Sequence, residues 1–246
     1  MKKLIAIIGP TATGKTKLAV SLARKFKAEI VSADSRQVYR GMDIGTGKDM
    51  AEYGRGKNKI PYHLIDIVKP VTQFNVGKFK KKAAGAINKI LSQNKIPFLV
   101  GGTGLYISAL IDNYQFPNLS SRPAKGKAQY QTLQIGLTYP KKILDKKIER
   151  RVDEMIKNGL INETKKLVKK YGKNSAPLQT IGYAEIVDYL NKKTTLDQAV
   201  NLIKLRTRQF AKRQMTWFAG HGGKDKHIHW VKNQQEAEKL IKKFLG

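Results

Sequence analysis

The first apolar run, Leu4-Ile5-Ala6-Ile7-Ile8, has no polar interruption, which predicts a strand buried on both faces. Over 15–26 the pattern changes: Leu18, Ala19, Leu22, Ala23 and Phe26 return at helical spacing. Strand-like segments follow at 28–33, 63–68, 96–100 and 132–138. Between them, 76–93 carries Phe79, Ala83, Ala86, Ile87, Ile90 and Leu91 on one helical face, and a helix beginning near Leu105 fails around Asp112. Strands alternating with helices predict an α/β fold, a mainly parallel, doubly wound sheet flanked by helices. The stretches 41–59 and 118–131 read as irregular connections, the first rich in glycine and lysine and the second polar and interrupted by proline.

From Lys141 the pattern becomes helical throughout. Ile143, Leu144, Ile148, Val152, Met155 and Ile156 predict a helix ending at Asn158-Gly159, followed by helices over 161–171 and 179–190. Thr195-Leu-Asp-Gln198 fits a capping box and opens a long helix reaching about Phe218. A late edge strand at 227–231 and a helix over 234–244 close the chain. The expected organisation is a phosphate-loop α/β core over 1–139, a helical region over 140–220, and a strand and helix over 221–246 packing back on the core.

Charge adds a partner class. The chain has 48 Lys and Arg against 18 Asp and Glu, a net charge of +30. Such an excess favours a polyanion, although only ten of the cations are arginine, and a lysine drift over every surface gives the same total. With no cysteine, disulfides, thiolate metal sites and cysteine nucleophiles are excluded. No apolar run approaches membrane-spanning length, and the first strand starts too early to leave room for a leader; a cytoplasmic protein is expected.

The chemistry concentrates where strands end. Gly9-Pro10-Thr11-Ala12-Thr13-Gly14-Lys15-Thr16 fits G-x-x-x-x-G-K-[ST] between a strand and a helix, the context a phosphate-binding loop requires. Its glycines let successive N–H groups face an anion, Lys15 supplies a point charge, and the Thr16 hydroxyl suits a Mg²⁺ ligand. Asp34 follows the second strand and is placed either for chemistry or for capping a turn. Gly101-Gly-Thr103 follows another strand, allowing close backbone approach to a ligand and offering a hydroxyl. His63 has no second histidine at ligand spacing, which favours a structural hydrogen bond over a metal. Lys204, Arg208 and Lys212 form a cationic stripe, either a solvated face or a contact with RNA or pyrophosphate.

These segments together resemble the tRNA dimethylallyltransferases, which prenylate N6 of the adenosine 3′ to the anticodon. The carrying residues are the loop 9–16, Asp34-Ser-Arg-Gln-Val-Tyr39, Arg40-Gly-Met-Asp-Ile-Gly-Thr46, His63-Leu-Ile-Asp-Ile67, Gly101-Gly-Thr-Gly-Leu-Tyr106, Arg151-Val-Asp153 and 207–217. The resemblance implies that loop 9–16 holds dimethylallyl diphosphate with Mg²⁺ and that Asp34 is the general base toward the adenine amine. It further implies that Thr103 and an arginine stabilise the leaving pyrophosphate. Arg151 matches the family's Arg-Val motif, with Arg208 as competitor. Asp34, Ser35, Arg36, Gln37, Thr103 and Arg208 are implied contacts to the tRNA anticodon stem-loop, and a monomer is expected. Two departures stand out. The family's long helical insertion is reduced to about 114–131, and Gly47 and Asp49 replace the usual alanine and proline. Three other readings remain open: prenylation of a free adenine nucleotide, a small-molecule kinase using ATP at the same loop, and a non-catalytic RNA-binding remnant.

Overall fold

The computed structural model describes residues 2–116, 124–221 and 228–246. Six strands, β1 (Lys2–Ile8), β2 (Ala28–Ser32), β3 (Tyr62–His63), β4 (Ile96–Gly101), β5 (Tyr130–Leu137) and β6 (Ile228–Val231), form one sheet in the order β3-β2-β4-β1-β5-β6. Every pairing is parallel. The α-helices among the described residues are α1 (Lys15–Phe26), α2 (Val76–Ser92), α3 (Gly104–Ile111), α4 (Lys141–Lys157), α5 (Leu160–Tyr171), α6 (Tyr183–Leu190), α7 (Leu196–Thr216) and α8 (Gln234–Leu245).

The unbroken apolar run of β1 is explained by its central place, between β4 and β5. Ile5 and Ile7 face a core closed by Ala19, Val20, Leu22 and Ala23 of α1 and by Ala237 and Ile241 of α8. Leu4, Ala6 and Ile8 face the other core, closed by Phe79, Ala83, Ile87 and Ile90 of α2 and by Tyr106, Ile107 and Leu110 of α3. A third core belongs to the helical region: Val152, Leu160, Leu167, Tyr183, Ile186 and Ile203. Met42, from the loop after β2, is buried within it, so the helices grip that loop directly.

The sheet is wholly parallel, with six strands. Of the segment expected as a strand over 63–68, only its first residue pairs regularly, because Leu64 (φ 65) and Asp66 (φ 56) turn the backbone left-handed. The helix expected over 179–190 is broken by Gly182 (φ 96) into a short 3₁₀ turn, Ala176–Gln179, and α6. The capping box stands as expected: the Gln198 N–H donates to Thr195 Oγ1 at 3.2 Å, and the Thr195 N–H donates to Gln198 Oε1 at 2.9 Å. Within 114–131, Gln115 and Ala124 pair as an isolated antiparallel bridge; 117–123 lie outside the described residues, as does most of 221–227.

Candidate active site

The carboxyl ends of β1, β2 and β4 deliver three loops to one cavity, the position where open α/β sheets bind ligands. The first is the phosphate loop. Gly14 (φ 81) caps α1 with no side-chain hydrogen bond, and no acidic residue occupies the first turn. The leading N–H groups and the positive end of the helix dipole are thus left for an anion. Gly9 (φ 144) is required for another reason, since a Cβ there would overlap the backbone carbonyl of Leu137. Lys15 Nζ donates to the Pro10 carbonyl at 2.5 Å, and Thr13 Oγ1 donates to the same oxygen at 2.9 Å. Burial, and secondly the charge of Arg151, lower the Lys15 pKa to about 7, against an upward pull from Asp34.

The second loop carries Asp34. Its Oδ1 accepts the N–H of Arg36 at 2.8 Å and of Gln37 at 3.3 Å. Oδ2 accepts no hydrogen bond among the described residues, so Asp34 builds its turn and still presents a carboxylate oxygen. The third loop follows β4: the Ser35 N–H donates to Thr103 Oγ1 at 3.1 Å, pinning the Thr103 hydroxyl to the Asp34 turn. Arg36 and Gln37 line the cavity, whereas Ser35 and Thr103 are not among its lining residues. Arg36 Nη1 donates to the Ile181 carbonyl at 3.2 Å, and its guanidinium lies 5.7 Å from the Phe210 ring centre.

The helical region contributes Arg151, whose Nη1 donates to Thr11 Oγ1 at 3.4 Å and whose Nη2 donates to the Gly47 carbonyl at 3.1 Å. Arg208 is not among the lining residues. It ion-pairs with Glu149 at 2.6 Å, as Lys204 does with Asp153 at 2.6 Å, so two members of the α7 stripe are turned onto α4. His63 Nε2 lies 2.8 Å from Glu29 Oε2, a structural pair at the other end of the sheet. Among the described residues no group of three or more His, Cys, Asp or Glu could hold a metal alone.

Three residues escaped the sequence reading. Gln214 bridges two of the loops from α7, and Glu52 lines the cavity with a buried Oε2 that has no hydrogen-bond partner. Burial, and next the charge of Asp49, raise the Glu52 pKa. Glu163 of α5 accepts the N–H groups of Asp43, Ile44 and Gly45 at 3.0, 2.9 and 3.1 Å and the Tyr183 hydroxyl at 2.7 Å. Of these only Gln214 had a signal, since it lies within 207–217, one of the segments that carry the family resemblance.

Comparison with known proteins adds to this geometry. A family model described as IPP transferase matches residues 37–129 and 115–221, and one described as isopentenyl transferase matches residues 2–71. The chain is 37% identical over 307 residues to the tRNA dimethylallyltransferase of Carboxydothermus hydrogenoformans, covering 99% of this chain and 96% of that one. It is 37% identical over 314 residues to the tRNA dimethylallyltransferase of Thermoanaerobacter sp., covering 99% and 98%. The structure of the tRNA isopentenylpyrophosphate transferase from Bacillus halodurans superposes with a TM-score of 0.87 at 34% identity, covering 100% of this chain and 96% of that one. Both sequence alignments are longer than the 246 residues of this chain, so these relatives carry a stretch with no counterpart here. The two matched segments of the first family model meet at 115–129, which locates it.

Proposed function

The chain belongs to the IPP transferase family, and on that premise we propose how the cavity serves the family's reaction. The protein is a tRNA dimethylallyltransferase: it transfers a dimethylallyl group to tRNA. Its donor is dimethylallyl diphosphate, and the acceptor is N6 of the adenosine 3′ to the anticodon. The observation that carries this assignment of sides is the meeting of the uncapped α1 terminus with the Asp34 carboxylate in one cavity.

The diphosphate lies in loop 9–16, against the first-turn N–H groups of α1 and Lys15. Arg151, already beside Thr11, takes the outer side of the leaving group, where charge grows as the carbon–oxygen bond breaks. Asp34 accepts the proton that the adenine amine loses as the new carbon–nitrogen bond forms; that amine is too weak a nucleophile to keep it. Thr103, held by the Ser35 N–H, sets the height of the Asp34 turn, and Arg36 and Gln37 flank the base lifted from its stack. Arg208, paired outside the cavity, is left to RNA phosphates.

The residues present fit a magnesium ion. Magnesium uses one or two protein oxygens with phosphates and water, and the partnerless Glu52 Oε2 and the Thr16 hydroxyl line the same cavity. Those two would hold it, and when bound it supplies positive charge to the diphosphate. No helix among the described residues is long and apolar enough to cross a membrane. We place the enzyme in the cytoplasm with its tRNA, acting on the anticodon stem-loop as a monomer.

The test is reaction of tRNA with labelled dimethylallyl diphosphate, followed by digestion to nucleosides. Label in N6-prenyladenosine from tRNA, and none from tRNA lacking the target adenosine, is expected. Label only in free adenine nucleotide, or phosphate transfer from ATP, would replace this reading.

A further inference from the structure

Gln214 is 7% exposed, and both halves of its amide are used. Its Oε1 accepts the Thr11 N–H at 2.8 Å, and its Nε2 donates to the Gly102 carbonyl at 2.8 Å. Thr11 belongs to the phosphate loop after β1, and Gly102 to the turn after β4 that carries Thr103. One side chain from α7 therefore spans the two loops assigned to donor and acceptor. The fit is close: a Cβ on Gly102 would overlap Gln214 Nε2 and crowd the Gly9 carbonyl.

We propose that Gln214 is a positioning residue that fixes the separation of the diphosphate loop from the Asp34–Thr103 wall. This rests on the transfer reading above. Neighbouring parallel strands already fix where β1 and β4 end, but not the loops beyond them, whose paths have no ladder to follow. Thr103 reaches Ser35, and the Asp34 turn hangs from the same region. A shift at Gly102 thus passes to the general base, while a shift at Thr11 passes to the diphosphate. The amide is also the right chemistry for the bridge, because it offers an uncharged donor and acceptor on one short planar group, whatever the pH. Its Thr11 bond further takes that N–H out of the anion's reach, so the cradle is built from the remaining N–H groups.

Two variants approach the bridge from opposite sides. Gln214→Met keeps the length of the side chain but cannot donate to Gly102 and offers Thr11 only a weak sulfur acceptor. Gly102→Ala leaves Gln214 chemically intact and displaces it sterically; no left-handed φ at Gly102 forbids alanine. For each, kcat and KM for donor and tRNA are measured at a temperature where melting curves show the variant folded, together with the donor Kd in the absence of RNA. The expected result is a kcat loss of about 10²-fold, the scale of a 1 Å misplacement, with donor Kd and both KM values within about threefold. The double variant should lose no more than the worse single one, because both break the same bridge. A kcat within about threefold of wild type in either folded variant overturns the proposal. So does a loss carried by donor Kd, or losses that multiply in the double variant. An inert wild-type chain with normal donor binding would instead overturn the transfer reading, and this inference with it.

Discussion

Arg151 reaches the phosphate loop across a residue without a side chain: its Nη2 donates to the Gly47 carbonyl at 3.1 Å, and a Cβ at 47 would overlap that guanidinium. Gly47 has φ +64, and Asp49 Oδ2 lies 3.8 Å from Nη2. Positions 47 and 49 therefore both touch Arg151. Gly47→Ala should push the guanidinium off Thr11. A charge-assisted hydrogen bond contributes about 1.5–3 kcal/mol, so donor affinity should fall about tenfold or more. Alanine in a left-handed backbone adds about 1 kcal/mol of lost stability. Calorimetric titration with dimethylallyl diphosphate checks this; unchanged affinity would show that Arg151 does not hold the diphosphate from this position.

Lys15 makes donor capture depend on pH. Burial first, then Arg151, lowers its pKa to about 7 in the free site, and a bound diphosphate pulls it back up. Above pH 7 the free lysine is neutral and the occupied one charged, so binding takes up a proton. Affinity should fall as pH rises from 7 to 9, by at most about tenfold per unit. The terminal phosphate titrates near 6, below this window. Titrating the donor without RNA or added metal isolates the effect. Lys15→Ala should bind weakly and show no slope, and a flat wild-type profile would mean the lysine stays charged throughout.

Asp34→Asn separates chemistry from architecture. Asparagine keeps an oxygen for the N–H groups of Arg36 and Gln37, so the turn survives, but the base is gone. Turnover should drop about 10²–10⁴-fold with donor and tRNA binding close to normal. A variant retaining about a third of wild-type turnover would remove Asp34 from the proton transfer.

The sheet was legible because a buried parallel strand writes itself as an apolar run, which β1 and β4 carry unbroken and β2 carries with Glu29 and Ser32 in it. The phosphate loop was legible because its glycines are demanded by backbone geometry that a short motif encodes. What stayed hidden depends on partners distant in sequence. Glu163 looks like any helical surface glutamate until the loop at 43–45 folds onto it, 118 residues or more away in sequence. The ion pairs of Arg208 and Lys204 were hidden because their partners, Glu149 and Asp153, lie on another helix, α4. The strand expected over 63–68 failed on backbone, not on hydrophobicity. Leu64 and Asp66 adopt positive φ, and the Lys48 ammonium, buried between Asp43 and Asp66, holds the turned conformation.

Glu163 gives a stability prediction from that hidden contact. Its carboxylate accepts three backbone N–H groups and a phenol, and glutamine would turn an N–H₂ group toward some of those donors. Leaving a buried donor unmatched costs about 1–3 kcal/mol, so Glu163→Gln should lower Tm by about 2–12 °C for a chain of this size. Hydrogen exchange at Asp43, Ile44 and Gly45 should accelerate more than at β1. Unaltered protection there would mean that the third core alone holds the loop.

The shortened 114–131 segment predicts how RNA is held. The relatives carry a stretch that this chain lacks, and what remains begins by pairing Gln115 with Ala124, closing on itself. Grip must then come mainly from lysines on the basic helices, which contact phosphates. Each neutralised phosphate releases counterions, so contact with six or more should weaken binding about 10³-fold or more between 50 and 200 mM salt. Phosphate contacts carry no sequence information, so discrimination should suffer more than affinity. Substrate tRNA and tRNA lacking the target adenosine should bind alike at every salt concentration, with selectivity appearing at turnover, when the base enters the Asp34 wall. Binding measured across a salt series decides this. Tight, salt-insensitive binding of the substrate alone would show that a specific clamp operates elsewhere on the chain.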